Sequence, residues 1–105
     1  MTFGLSDKSL QVVRDLLKHY PQIEKCIVFG SRAMGNEKKG SDIDLAVLGK
    51  EVTTATVLDL TASLNERLPL PYHFDVVAYS TVDNQALRDH IDRYGKIFYE
   101  KTAVD

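Results

Sequence analysis

The stretch that most constrains this chain is Phe29 to Val47, FGSRAMGNEKKGSDIDLAV. A Gly-Ser pair, Gly30 and Ser31, is followed after ten residues by Asp42 and Asp44 in an Asp-x-Asp pattern. The apolar run Cys26-Ile27-Val28-Phe29 feeds the Gly-Ser turn, and a second run from Ile43 to Leu48 carries the carboxylates. Side chains alternate along a strand, so Asp42 and Asp44 point to one face, about 7 Å apart. Two such carboxylates make a poor core and a good cradle for a hard divalent cation. A turn of small residues opening a short helix leaves backbone N–H groups free to hold phosphate. A cation cradle and a phosphate turn in one hairpin point to nucleotide chemistry.

The residues GSRAMGNEKKGSDIDLAV resemble the GSx(10)DxD signature of the nucleotidyltransferase superfamily related to DNA polymerase beta. More narrowly, the chain is similar to the minimal nucleotidyltransferase (MNT) proteins, which are little more than that catalytic core. The likeness covers most of the chain, since a leading helix, a later strand with a third acid and the total length also fit. It implies that Asp42, Asp44 and Asp75 ligate two Mg²⁺ ions, with Asp75 serving the metal that activates the acceptor hydroxyl. It implies that Gly30 and Ser31 bind the β- and γ-phosphates of ATP or another NTP. MNT proteins commonly pair with a helical HEPN protein as antitoxin to a ribonuclease toxin, and can AMPylate a toxin tyrosine. The resemblance thus implies a protein adenylyltransferase with a HEPN partner, in a homo- or hetero-oligomer.

At 105 residues the chain is expected to form one domain, 1–105, burying roughly 60% of its unfolded surface. A net charge of −2 supplies no basic field for an extended nucleic acid. The single cysteine, Cys26, lies in an apolar run and reads as a buried thiol in a reducing compartment. No segment has 18 consecutive apolar residues, so no membrane span is expected and a cytoplasmic protein is.

Periodicity predicts a first helix capped by Ser6, with Leu5 and Leu10 at staple spacing and Leu10, Val13, Leu17 and Tyr20 as its stripe. Pro21 is expected to stop it. Strands are expected at 25–29, 42–48 and 73–79, with a helix from Thr53-Thr54 to about Leu68, ended by Pro69 and Pro71. A last helix should start near Asp83, bury Leu87, Ile91 and Tyr94, and end at Gly95 as a C′ glycine. A short strand, Lys96 to Tyr99, and a frayed tail, Lys101 to Asp105, close the chain. The fold class is α/β (α+β): a mixed sheet of three to four strands with helices on one face.

Asp75 interrupts an otherwise apolar and aromatic run, HFDVVAY, and a lone Asp in a central strand is costly unless paired or metal-bound. Water-facing placement on an edge strand is the plain alternative. His73 shares its face and reads as a rim histidine. Arg32, next to the phosphate-binding serine, is a candidate nucleotide contact. Lys38 and Lys39 divide between bystanders and electrostatic help for a polyphosphate, Lys39 being taken as a nucleotide contact, and Glu37 reads as a solvated loop-tip residue.

Other classes fit less well. No G-x-x-x-x-G-K-[ST] loop is present, which sets aside P-loop NTPases. Ala46 stands where a haloacid-dehalogenase-like phosphatase needs Thr or Val, and glycosyltransferases with Asp-x-Asp lack the preceding Gly-Ser. A catalytically silent binding module of the same fold, and a transferase acting on a small molecule or an RNA end, remain as alternatives.

Overall fold

The computed structural model describes residues 2–68 and 70–101. Elements follow the order α1 (Asp7–Leu17), β1 (Lys25–Phe29), α2 (Ser31–Met34), β2 (Ile43–Leu48), α3 (Thr54–Ala62), β3 (Phe74–Ala78), α4 (Gln85–Tyr94) and β4 (Lys96–Glu100). Four strands form one sheet in the order β3-β2-β1-β4. β1 runs antiparallel to β2 and β4, while β2 and β3 are parallel. Parallel neighbours need a long crossover. Here α3 supplies it and leaves β3 as an outer strand.

Strand alternation divides the apolar residues between two faces. Cys26 and Val28 of β1, Ile43, Leu45 and Val47 of β2, and Phe74 of β3 join Leu10, Val13 and Leu17 of α1 and Leu60 of α3 in the larger core. Each fully buried aliphatic side chain there contributes about 1.5–3 kcal/mol. The residues of opposite parity, Phe29, Ala46, Ile27 and Val77, pack with Leu87 and Ile91 of α4. The expectation of helices on one face therefore holds for α1 and α3 and is corrected for α4, which covers the other face. That second face is the one on which Asp44 lies, two residues from Ala46.

The caps explain where the helices begin. Ser6 accepts the Ser9 N–H at 3.1 Å, with Leu5 and Leu10 both buried beside it. Thr53 and Thr56 exchange side-chain and backbone hydrogen bonds in a capping box. Asn84, not Asp83, caps α4 by accepting the Leu87 N–H at 3.0 Å. α1 ends at Leu17, earlier than the Tyr20 stripe suggested. Tyr20 lies beyond it, buried, with its hydroxyl donating to Asp59 at 2.5 Å.

α3 passes into a π-helical turn, Ser63–Arg67. Within it Asn65 donates to the Phe74 carbonyl at 2.9 Å and accepts the Phe74 N–H at 2.8 Å. Those outward groups of the outer strand are thereby satisfied, and Asp75, the next residue, is held in register.

Gly95 does not adopt the left-handed C′ conformation expected of it. Its backbone is extended, φ −62° and ψ 146°. Glycine is needed for space instead, because a Cβ would sit 2.5 Å from both Ile27 Cγ2 and the Ile91 carbonyl oxygen. Lys101 is not frayed, since its N–H donates to the Glu24 carbonyl at 2.9 Å. Pro69 and the rest of the expected tail, 102–105, lie outside the described residues. Burial pushes the Cys26 thiol up to about 12, which makes it an inert core residue.

Candidate active site

The sheet register assembles the acidic residues. Phe29 pairs with Asp44 across the antiparallel ladder, and Asp44 pairs with Asp75 across the parallel one. Gly30, the residue after Phe29, is thus set beside Asp44, with Asp75 on its other flank. Asp42 stands just ahead of β2, on the same face as Asp44. Asp42 and Asp75 are exposed, and Asp44 is half-buried. The sequence suggested a central strand for Asp75. β3 is an outer strand, so its carboxylate reaches water while facing the same cluster.

The carboxyl of Asp44 is raised above its ordinary value. Desolvation is the main cause, followed by the negative charges of Asp75 and then Asp42, with His90 partly opposing them. Such a crowd of carboxylates is relieved by bound positive charge. Oxygen donors converging from two strands fit a hard divalent cation. Asp42, His73 and Asp75 each bring a potential ligand atom within 4.8 Å of the other two.

A folded-state value above the unfolded one means the folded chain binds the proton more readily. The stability this contributes is present in acid and is lost as pH rises through the raised value. In metal-free protein the Asp44 contribution should therefore decline as pH rises from the ordinary carboxylate range through the raised value. Comparing melting curves of the native chain and Asp44→Asn over that range checks it. A difference between the two that does not vary with pH would contradict the assignment.

At the turn, Gly30 has φ +74° and ψ −156° and caps the short α2. A Cβ there would collide with the Asp44 carboxylate. The site thus requires glycine twice, for its backbone and for its lack of side chain. Gly30→Ala should lose about 1–3 kcal/mol from backbone strain alone and displace Asp44. A melting temperature and activity equal to those of the native chain would show that the turn has more room than described.

The Gly30 N–H donates to Nε2 of His90 at 2.9 Å. His90 comes from α4 and packs edge-on to Phe29. Sequence reading missed it, because it lies beside the Leu87–Ile91 stripe and only the topology brings α4 over this face. The imidazole occupies a donor that a phosphate oxygen would otherwise take. Ser31, the first residue of α2, is half-buried next to that turn.

Arg32 departs from its expected place as a nucleotide contact. It is 5% exposed. Nε and Nη2 donate to the Ser41 carbonyl at 3.2 and 2.8 Å, and Nη1 donates to the Phe3 carbonyl at 2.9 Å. Its guanidinium also lies 5.6 Å from the centre of the Tyr72 ring. These bonds tie the loop before β2 to the N-terminal segment and hold Ser41, the neighbour of Asp42. Glu37, expected in solvent, is half-buried near the same guanidinium. Lys38 and Lys39 are exposed and line, with His73, Tyr72 and Arg32, a cleft of about 440 Å³. Among the described residues no helix is long and apolar enough to cross a membrane.

With this geometry, comparison with known proteins gives consistent results. Residues 11–103 match the family described as Polymerase beta, Nucleotidyltransferase. Over 97 residues the chain is 26% identical to the "Probable protein adenylyltransferase MntA" of Haemophilus influenzae, covering 92% of this chain and 84% of the relative. It superposes on a chain of the crystal structure of a toxin–antitoxin with AMP-PNP, with a TM-score of 0.70 and 22% identity. That match covers 93% of this chain and 76% of the other. A second match is to a structure of the tri-AMPylated Shewanella oneidensis HEPN toxin in complex with MNT antitoxin. There the TM-score is 0.61 at 19% identity, covering 88% of this chain and 73% of that one. At these identities the structural matches establish a shared fold.

Proposed function

This chain belongs to the polymerase beta nucleotidyltransferase family, and on that footing we propose that it moves AMP from ATP, with Mg²⁺, to a hydroxyl group of a partner protein. The observation that supports this best is the register that sets Gly30, Asp44 and Asp75 side by side across three strands. An acceptor oxygen attacks the α-phosphorus, the bond to the bridging oxygen breaks, and pyrophosphate leaves. Bound divalent ions would supply positive charge at the transferring phosphoryl group and favour the ionised acceptor. Asp42, Asp44 and Asp75 would hold them. Asp75, exposed on the outer strand, lies where an incoming hydroxyl has access and can take its proton. Ser31 presents N–H and hydroxyl donors to the β- and γ-phosphates, Gly30 joins it when its N–H exchanges the His90 imidazole for a phosphate oxygen, and Lys39 adds charge from the loop. Arg32 serves by fixing that loop rather than by touching the nucleotide.

The proposed acceptor is a tyrosine of a HEPN-type partner, which makes this chain an antitoxin. Support comes from the named relative, an adenylyltransferase, and from the fold shared with a HEPN–MNT complex. The charge of −2 and the isolated Lys38-Lys39 pair suit one triphosphate better than a polynucleotide track. The test combines the purified chain, ATP, Mg²⁺ and the product of a neighbouring HEPN gene, and weighs the partner by intact mass spectrometry. AMP-sized increments that vanish in Asp44→Asn are expected. If an RNA end or a small molecule is modified and the partner is not, the acceptor assignment fails while the transferase reading stands. If nothing is modified and no pyrophosphate forms, the chain is a silent binding module.

A further inference from the structure

The carboxylate cluster contains one donor of a different kind. His73 stands two residues before Asp75, which sets both on the same face of the sheet. Its carbonyl accepts the Ile43 N–H at 2.9 Å, which fixes the residue beside the start of β2. The imidazole Nδ1 lies 3.5 Å from Asp42 Oδ1. One ligand atom from each of Asp42, His73 and Asp75 lies within 4.8 Å of the other two, and all three residues are exposed. Two carboxylates and an imidazole, converging from adjoining strand ends with solvent in front, offer three donors to one side of an ion and leave its other positions open.

Resting on the metal-dependent reading above, we propose that His73 is a ligand of the ion held on the β3 side of the site. The imidazole makes that position selective for a first-row transition ion such as Mn²⁺ over Mg²⁺. Mg²⁺ takes oxygen ligands and keeps its waters, whereas a nitrogen donor favours transition ions. As an ion pair with Asp42, His73 would contribute little, since an exposed contact at this distance is worth at most a fraction of a kcal/mol. The fold does not need a histidine here, and the site has a use for one.

The test loads the whole chain with Mn²⁺ and records pulsed electron paramagnetic resonance. Nitrogen-14 coupling to the ion is expected in the native protein and absent in His73→Asn. The same substitution should weaken Mn²⁺ binding about tenfold and Mg²⁺ binding less than twofold, with the melting temperature unchanged. Coupling that survives in His73→Asn, as it would if His90 were the ligand, overturns the assignment. So does Mn²⁺ bound through oxygen alone, which leaves the transferase reading intact. A chain that binds neither ion, with or without ATP, fails both.

Discussion

Asp44→Asn is expected to abolish nucleotidyl transfer while the melting temperature of the metal-free protein stays the same or rises. The substitution keeps shape and removes charge. The group it removes is half-buried, faces Asp75 and Asp42, and has its carboxyl raised by desolvation and by those two neighbours. At neutral pH its ionised form therefore opposes folding, and relieving it exchanges function for stability. Activity should drop on the order of a thousandfold, the size of several kcal/mol of lost transition-state stabilisation. The Coulomb gain in stability is small, because the carboxylate is partly screened by water. Calorimetry on both proteins without metal, paired with a pyrophosphate assay, checks the two halves together. A variant that melts several degrees lower would mean that Asp44 holds the Gly30 turn by hydrogen bonding and is not a carboxylate under repulsion.

Arg32→Ala should have the larger effect on folding. Three nitrogens of a buried guanidinium serve the Phe3 and Ser41 carbonyls, and truncation leaves the buried bond to Phe3 and the half-buried pair to Ser41 without their donor. Charged hydrogen bonds of this kind are worth about 1.5–3 kcal/mol each, so a loss of about 3 kcal/mol or more is expected. In a chain of this size that is a fall in melting temperature on the order of 10–20 °C. Arg32→Lys should recover less than half of it, since an ammonium cannot match the planar fork that spans both carbonyls. Chemical denaturation of the three proteins measures this. If Arg32→Ala unfolds like the native chain but binds ATP poorly, Arg32 is a nucleotide contact after all.

The Gly-Ser turn and the Asp-x-Asp strand were legible because both are local. Spacing within one hairpin decides that Gly30 and Asp44 meet, and alternation decides that Asp42 and Asp44 share a face. The caps at Ser6 and Thr53 were legible for the same reason. What the sequence concealed depends on the path of the chain between elements. Asp75 sits among Phe74, Val76 and Val77, which reads as an interior strand. Only the crossover through α3 makes β3 the outer one. His90 carries no signal until α4 is known to cross the face opposite α1 and α3. Arg32 was misplaced because adjacency to Ser31 says nothing about direction. On so short a helix the next residue turns toward the core, where Tyr72 and two carbonyls receive it. Gly95 was expected for its backbone freedom and is present for its missing Cβ, a distinction that lies in the contact with Ile27.

The most direct measurement follows the phosphates of ATP labelled in turn at the α and γ positions, in the presence of Mg²⁺ and the HEPN-type partner. The α-label should become fixed to the partner while the γ-label leaves as pyrophosphate, and both should depend on the metal and on Asp44. A γ-label retained on the partner, or released as free phosphate with no pyrophosphate formed, would contradict nucleotidyl transfer as the reaction of this site.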